Sequence, residues 1–96
     1  DPDAQISTVA VCGGAGDSLL DAVRRIGVDV YLTGDLRHHP VDESRRAGGP
    51  ALVDAGHWAT EFPWCAQAAG LLSDRLGLDV EVYDKPTDPF VVHRFG

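Results

Sequence analysis

Three short apolar runs, each released into a polar loop and then into a helical pattern, constrain this chain more than any other feature. Ile6 to Cys12 carries Val9, Ala10, Val11 and Cys12 almost without interruption, Val28 to Thr33 is rich in β-branched and aromatic residues, and Pro50 to Asp54 holds Ala51, Leu52 and Val53. Runs without polar alternation mark strands covered on both faces, as in a parallel sheet. Between the first two runs, Leu19, Val23 and Ile26 share one helical face, and Ser18 with Asp21 has the spacing of a capping box. Arg24 and Arg25 suit a last turn, with Gly27 as its left-handed stop. Pro40 is placed to open a short helix that ends at Gly48 and Gly49.

A longer helical pattern follows the third run, to about Leu76. Trp64, Ala68, Leu71, Leu72 and Arg75/Leu76 mark its face, and Gly77 closes it. Leu78, Val80 and Val82 then alternate with Asp79 and Glu81, which predicts a fourth strand with one wet face, at an edge or in an interface. Strand and helix, repeated three times and followed by a final strand, predict a layered α/β sandwich with a mostly parallel sheet and right-handed crossovers. In such sheets ligands gather beyond the carboxyl ends of the strands. Three loops leave strands at that end: Gly13 to Ser18, Gly34 to His39, and Ala55 to Glu61.

Ninety-six residues, 44% hydrophobic and 24% charged, are enough for one small globular domain. The formal charge of −7 argues against a nucleic-acid partner, whose phosphates are held by clustered Lys and Arg. No apolar stretch approaches the roughly 18 residues of a membrane span, and no signal peptide pattern opens the chain. Cys12 and Cys65 follow no metal or redox spacing, so they read as small packing residues in a reducing cytoplasm. The absence of methionine and the opening Asp1-Pro2-Asp3 lead us to expect a piece of a longer protein.

Chemistry concentrates in the loops. His57 and Glu61 are four apart, so on one helical turn an imidazole and a carboxylate can share a divalent metal. The competing reading is a capping Glu beside an incidental His. Pro63 predicts that the regular helix starts only near Thr60 to Phe62, with His57 on the turn before it. His38 and His39, near Asp35, can act as metal ligands or as an acid–base pair, or can be plain solvent-exposed histidines. Gly13, Gly14, Gly16 and Ser18 can present backbone N–H groups to a substrate, or serve only a tight turn. His93 has no partner in sequence.

Four motifs in order resemble one family. They are Gly13-Gly14-Ala15-Gly16-Asp17-Ser18 after a strand, Thr33-Gly34-Asp35-Leu36-Arg37-His38-His39, Asp54-Ala55-Gly56-His57-Trp58-Ala59-Thr60-Glu61, and Thr87-Asp88-Pro89-Phe90. Together they resemble the dinuclear metal-centre proteins of the NGG1p-interacting-factor-three-like family, the GTP cyclohydrolase I type 2 homologues. The resemblance runs from about residue 6 to residue 92 and implies that residues 1–96 are the C-terminal α/β portion of a two-half protein. It implies two divalent metals (zinc, iron or manganese) between the halves, with two neighbouring histidines and an aspartate from the first half. His57 and Glu61 match the second half's ligands. Gly34, Asp35 and His39 match the Gly-Asp-x-x-x-His motif, which puts His39, oriented by Asp35, beside the metals as a proton carrier. His38 stands where an aromatic residue is often found and receives no role.

The resemblance further implies a homo-oligomeric ring, commonly a hexamer, and partnership with the N-terminal half. It points to metal-dependent hydrolysis of a nucleotide-like substrate, with the glycine loop bordering the pocket. The alternative is a non-catalytic, metal-stabilised scaffold or regulatory interaction protein. For the isolated chain the expectation is a plain folding fragment without activity, because two protein ligands rarely hold a metal tightly.

Overall fold

Pairing begins where the apolar runs begin to register with one another. The computed structural model describes residues 1–91. It contains β1 (Val9–Ala15), a 3₁₀ turn at Asp17–Leu19, α1 (Leu20–Ile26), β2 (Val30–Asp35), α2 (His38–Arg46), β3 (Ala51–Asp54) and α3 (His57–Leu76). The three strands are parallel in the order β1-β2-β3, with Ala10, Tyr31 and Leu52 in one cross-sheet row and Cys12, Thr33 and Asp54 in another. This is the α/β architecture with a parallel sheet that the strand–helix alternation predicts.

Alternation along each strand sends one set of side chains to each face. Ala10, Cys12, Tyr31 and Leu52 point toward Leu20 and Val23 of α1, and with Val28 and Leu36 they form the core, in which Tyr31 is 1% exposed. Gly27 closes α1 at φ 82, and Gly77 closes α3 at φ 62, both left-handed as expected. Among the described residues no helix is long and apolar enough to cross a membrane.

Several expectations are corrected. The strands sit two or three residues later than their apolar runs for β1 and β2, because Asp29 captures the chain just before β1: its Oδ2 accepts hydrogen bonds from the Ser7 and Thr8 N–H groups. β1 then continues through Gly13 and Gly14 across a register break between Cys12 and Ala15. The capping box does not form. Asp17 opens a 3₁₀ turn and spends its carboxylate on Arg37, and no side chain caps α1. Pro40 is the third residue of α2 instead of the first, where a missing N–H still costs no helical bond.

The expectation that β1 is covered on both faces also fails within this chain. Val9 is 55% and Val11 73% exposed, and Val53 shares their open face. α3 reaches that face only at the strand ends, where Thr60 packs over Gly34, and the rest of α3 projects away. No residue of α3 is buried; Trp64, Leu71, Leu72 and Leu76, its predicted face, are exposed. The final strand over residues 78–83 does not form either, because its alternating side chains meet no sheet edge to pair with. The radius of gyration, 16.8 Å, accordingly exceeds the roughly 12 Å of a compact domain this long. His93 and Val92 lie outside the described residues.

Two outcomes follow for stability. Leu20→Ala in the isolated chain should lower the unfolding free energy by about 2–3 kcal/mol, whereas Val11→Lys should stay within about 0.5 kcal/mol, as read from urea melts. The Ser7 and Thr8 N–H groups hold the Asp29 carboxyl below its ordinary range. A carboxyl depressed on folding contributes stability that is full above its unfolded value, about 4, and is lost as the pH falls through its folded value. Asp29→Asn should therefore lower Tm at pH 7 and leave Tm unchanged below the folded value, flattening the acid limb of a Tm–pH curve.

Candidate metal and substrate site

The site is built on the last row of the sheet. Thr33 and Tyr31 on β2 are both buried, and their hydroxyls donate to the carbonyls of Gly14 (3.1 Å) and Gly16 (3.0 Å). These bonds lay the glycine loop across the end of β2. Gly14 adopts φ +69, and a Cβ there would collide with the Glu61 carboxylate. The missing side chain is what lets Glu61 approach. Gly16 is confined in the same way against Thr33 and Tyr31, a steric role and not a ligand-facing one. Asp17 ties the loop to the β2–α2 connection, accepting from the Arg37 backbone N–H (3.1 Å) and from its guanidinium (2.6 Å). The Arg37 bonds hold the Asp17 carboxyl below the usual carboxylate range.

Asp54 does the corresponding work for the third loop. Its carboxylate accepts from Leu36 N–H (3.2 Å) and Gly56 N–H (3.0 Å), so the exits of β2 and β3 are held together. Gly56, at φ 92 and ψ 130, turns the chain directly into α3, whose first residue is His57. Thr60 N–H reaches the Gly56 carbonyl at 3.1 Å and its hydroxyl reaches it at 2.8 Å, closing the first turn. The expected late helix start is thus corrected. Pro63 lies inside α3 and removes one hydrogen bond, to the carbonyl of Ala59, but both residues are exposed and water can solvate that carbonyl.

His57 and Glu61 consequently form a true i,i+4 pair, with His57 Nε2 3.0 Å from Glu61 Oε2. The other ring nitrogen, Nδ1, lies 3.4 Å from Asp35 Oδ2. Asp35 therefore serves His57; the expected pairing of Asp35 with His39 does not form. A ring nitrogen and a carboxylate oxygen 3.0 Å apart need a proton or a cation between them, and Asp35 on the opposite nitrogen is the outer partner that metal-bound imidazoles commonly have. Because Asp35 and Glu61 address opposite ring nitrogens, the three cannot converge on one ion. Among the described residues no group of three metal-ligating side chains occurs.

His57, Glu61, Asp35 and Gly13 line one cleft of about 970 Å³, with Thr60 and Cys65 at its side. Sequence reasoning missed most of its wall: Trp58, Phe62 and Trp64 from α3, and Tyr83, Lys85 and Phe90 from the C-terminal tail. Trp58 and Phe62 stack at 4.6 Å and 15°, a second i,i+4 pair whose spacing is plain in the sequence. Two candidates lie elsewhere. Ser18 borders a small hollow with Asp17 and Arg37. His39 is exposed on α2, edge-on to His38 at 5.2 Å, and does not line the cleft.

Gly14→Ala should cost about 1–3 kcal/mol, since it places a side chain in a left-handed conformation and against Glu61. Gly13→Ala, with nothing within 4 Å of the added carbon, should change stability by less than about 0.5 kcal/mol. Paired thermal melts check the contrast.

Residues 1–89 match the family model for Duf34/NIF3 (NGG1p interacting factor 3). The chain is 56% identical over 92 residues to a GTP cyclohydrolase 1 type 2 homolog of Mycobacterium leprae, covering 94% of this chain and 24% of that protein. It is 55% identical over 98 residues to the homolog of Streptomyces coelicolor, covering 97% of this chain and 34% of the relative. Among solved structures, a Bacillus cereus protein related to NIF3 superposes with a TM-score of 0.71 at 31% identity, over 88% of this chain and 24% of that one. The chain thus spans a quarter to a third of the relatives it matches. It belongs to the Duf34/NIF3 family.

Proposed function

We propose that this chain supplies one side of a dinuclear divalent-metal site in a longer protein, with His57 and Glu61 as ligands. The observation that carries the reading is the His57 Nε2 to Glu61 Oε2 approach of 3.0 Å, with Asp35 on Nδ1. The donor set, one imidazole and one carboxylate oriented by a second carboxylate, suits zinc, iron or manganese. Two ligands are too few for a tight site, so the others come from outside the described residues, from the rest of the protein. The bound metals would supply an activated water and polarise the substrate.

The residues of the chain take defined parts in that chemistry. Asp35 holds the His57 ring so that Nε2 faces Glu61. Gly14 keeps the floor clear beside Glu61, and Gly13 offers unobstructed backbone at the cleft wall. The aromatic residues give the cleft a largely apolar lining. The name the relatives carry, GTP cyclohydrolase 1 type 2 homolog, supports a metal-dependent hydrolase acting on a nucleotide-like substrate. The open apolar face of the sheet and the projecting α3 favour assembly with the remainder of the protein and into a homo-oligomeric ring. Free thiols at Cys12 and Cys65 suit a reducing cytoplasm.

The test is metal content of the full-length protein, measured by atomic emission after dialysis, alongside calorimetric affinity. His57→Ala should abolish binding of at least one metal, and Asp35→Asn should weaken it roughly 10–100-fold, the usual cost of losing an outer partner. Full metal occupancy and unchanged affinity in His57→Ala would sink the reading.

A further inference from the structure

The cleft beside His57 is lined by aromatic side chains from two segments and, among the described residues, by one lysine. Trp58, Phe62 and Trp64 come from the first turns of α3, and Tyr83 and Phe90 from the tail that returns over them. Near its end the tail makes a tight turn, in which the Phe90 N–H donates to Asp88 Oδ1 at 2.9 Å. Lys85 is the only lysine of the chain and, among the described residues, the only Lys or Arg lining the cleft. The carboxylates that line the cleft are engaged: Asp35 and Glu61 with His57, Asp88 with Phe90 N–H. Among the described residues Lys85 makes no ion pair.

A cleft with flat apolar walls holds a flat ring by stacking, and an ammonium group without a protein partner attracts a ligand anion. We infer that Lys85 is a specificity-determining residue: it selects a ligand with an anionic substituent on a planar aromatic ring held against the aromatic lining. This rests on the reading of the cleft as the substrate site and adds to it the residue that recognises the anion. The anion is a phosphate or a carboxylate, since one ammonium group serves both. Lys85 is exposed at the cleft wall, so its contribution is that of one partly solvated ion pair, about fivefold in affinity.

Calorimetry on the full-length, metal-loaded protein tests the assignment with two probe pairs that differ by the anion: GMP against guanosine, and indole-3-acetate against indole. In the wild type, the anionic member of at least one pair should bind at least about fivefold tighter. Lys85→Ala should lower that ratio about fivefold by weakening the anionic probe alone, and Lys85→Arg should restore it. Trp64→Ala should weaken both members equally and leave the ratio intact. A ratio confined to the GMP pair assigns a phosphate, and one confined to the indole pair a carboxylate. A ratio that Lys85→Ala leaves unchanged, or no binding of any probe at millimolar concentration, overturns the inference. Metal content of Lys85→Ala should equal that of the wild type, so failure of the metal reading, seen as metal retained in His57→Ala, is separable from failure here.

Discussion

Two buried hydroxyls on one strand hold this structure's working end together. Tyr31 and Thr33 cannot leave their O–H groups unpaired inside the fold without a cost of about 1–3 kcal/mol each, and the acceptors within reach are the carbonyls of Gly16 and Gly14. The glycine loop is therefore dictated by β2 and not by its own flexibility. Glu61 can come close only because that loop carries no side chain at Gly14, and His57 follows Glu61 by the helical repeat. Backbone satisfaction in the core is thus translated into the position of the His57 and Glu61 side chains at the surface.

What is legible in the amino-acid order is local. Apolar runs and helical periodicity specify the strand–helix succession, and a four-residue spacing is enough to join His57 to Glu61. Less legible are features set by partners distant along the chain. Asp35 is near His39 in sequence but reaches His57, because β2 and β3 exit side by side and Asp54 draws their loops together. The helix start is hidden because Pro63 signals a break more loudly than Gly56 signals a turn. The geometry shows the opposite weighting, since an exposed carbonyl at Ala59 is readily solvated.

The unmet expectations share one physical cause. A covered β1, a packed face on α3 and a paired strand over residues 78–83 are all statements about burial, and the apolar pattern states them clearly. In the chain alone those surfaces remain exposed. Apolar patterning records the surroundings in which a sequence was selected, and the relatives are three to four times longer than the stretch matched here. Val23 and Tyr31 are buried by contacts within the chain, so for them the pattern and the fold agree; on α1 the expected Leu19 and Ile26 are exposed, because the 3₁₀ turn before the helix brings Leu20 to the core instead.

The cross-sheet row Cys12, Thr33 and Asp54 has a kinetic implication. Each strand contributes one member, and each member is followed within a few residues by a group of the cleft: Gly13, Asp35 and His57. A slip of one residue in either pairing would send the following groups to opposite faces. Parallel pairing of segments some twenty residues apart also requires each intervening helix to close its loop first. The distance from Asp35 to His57 is therefore a gauge of registry, reaching its final value only once β2 and β3 have paired. The contact between Asp35 and His57 is thus a product of the folded sheet and cannot nucleate it.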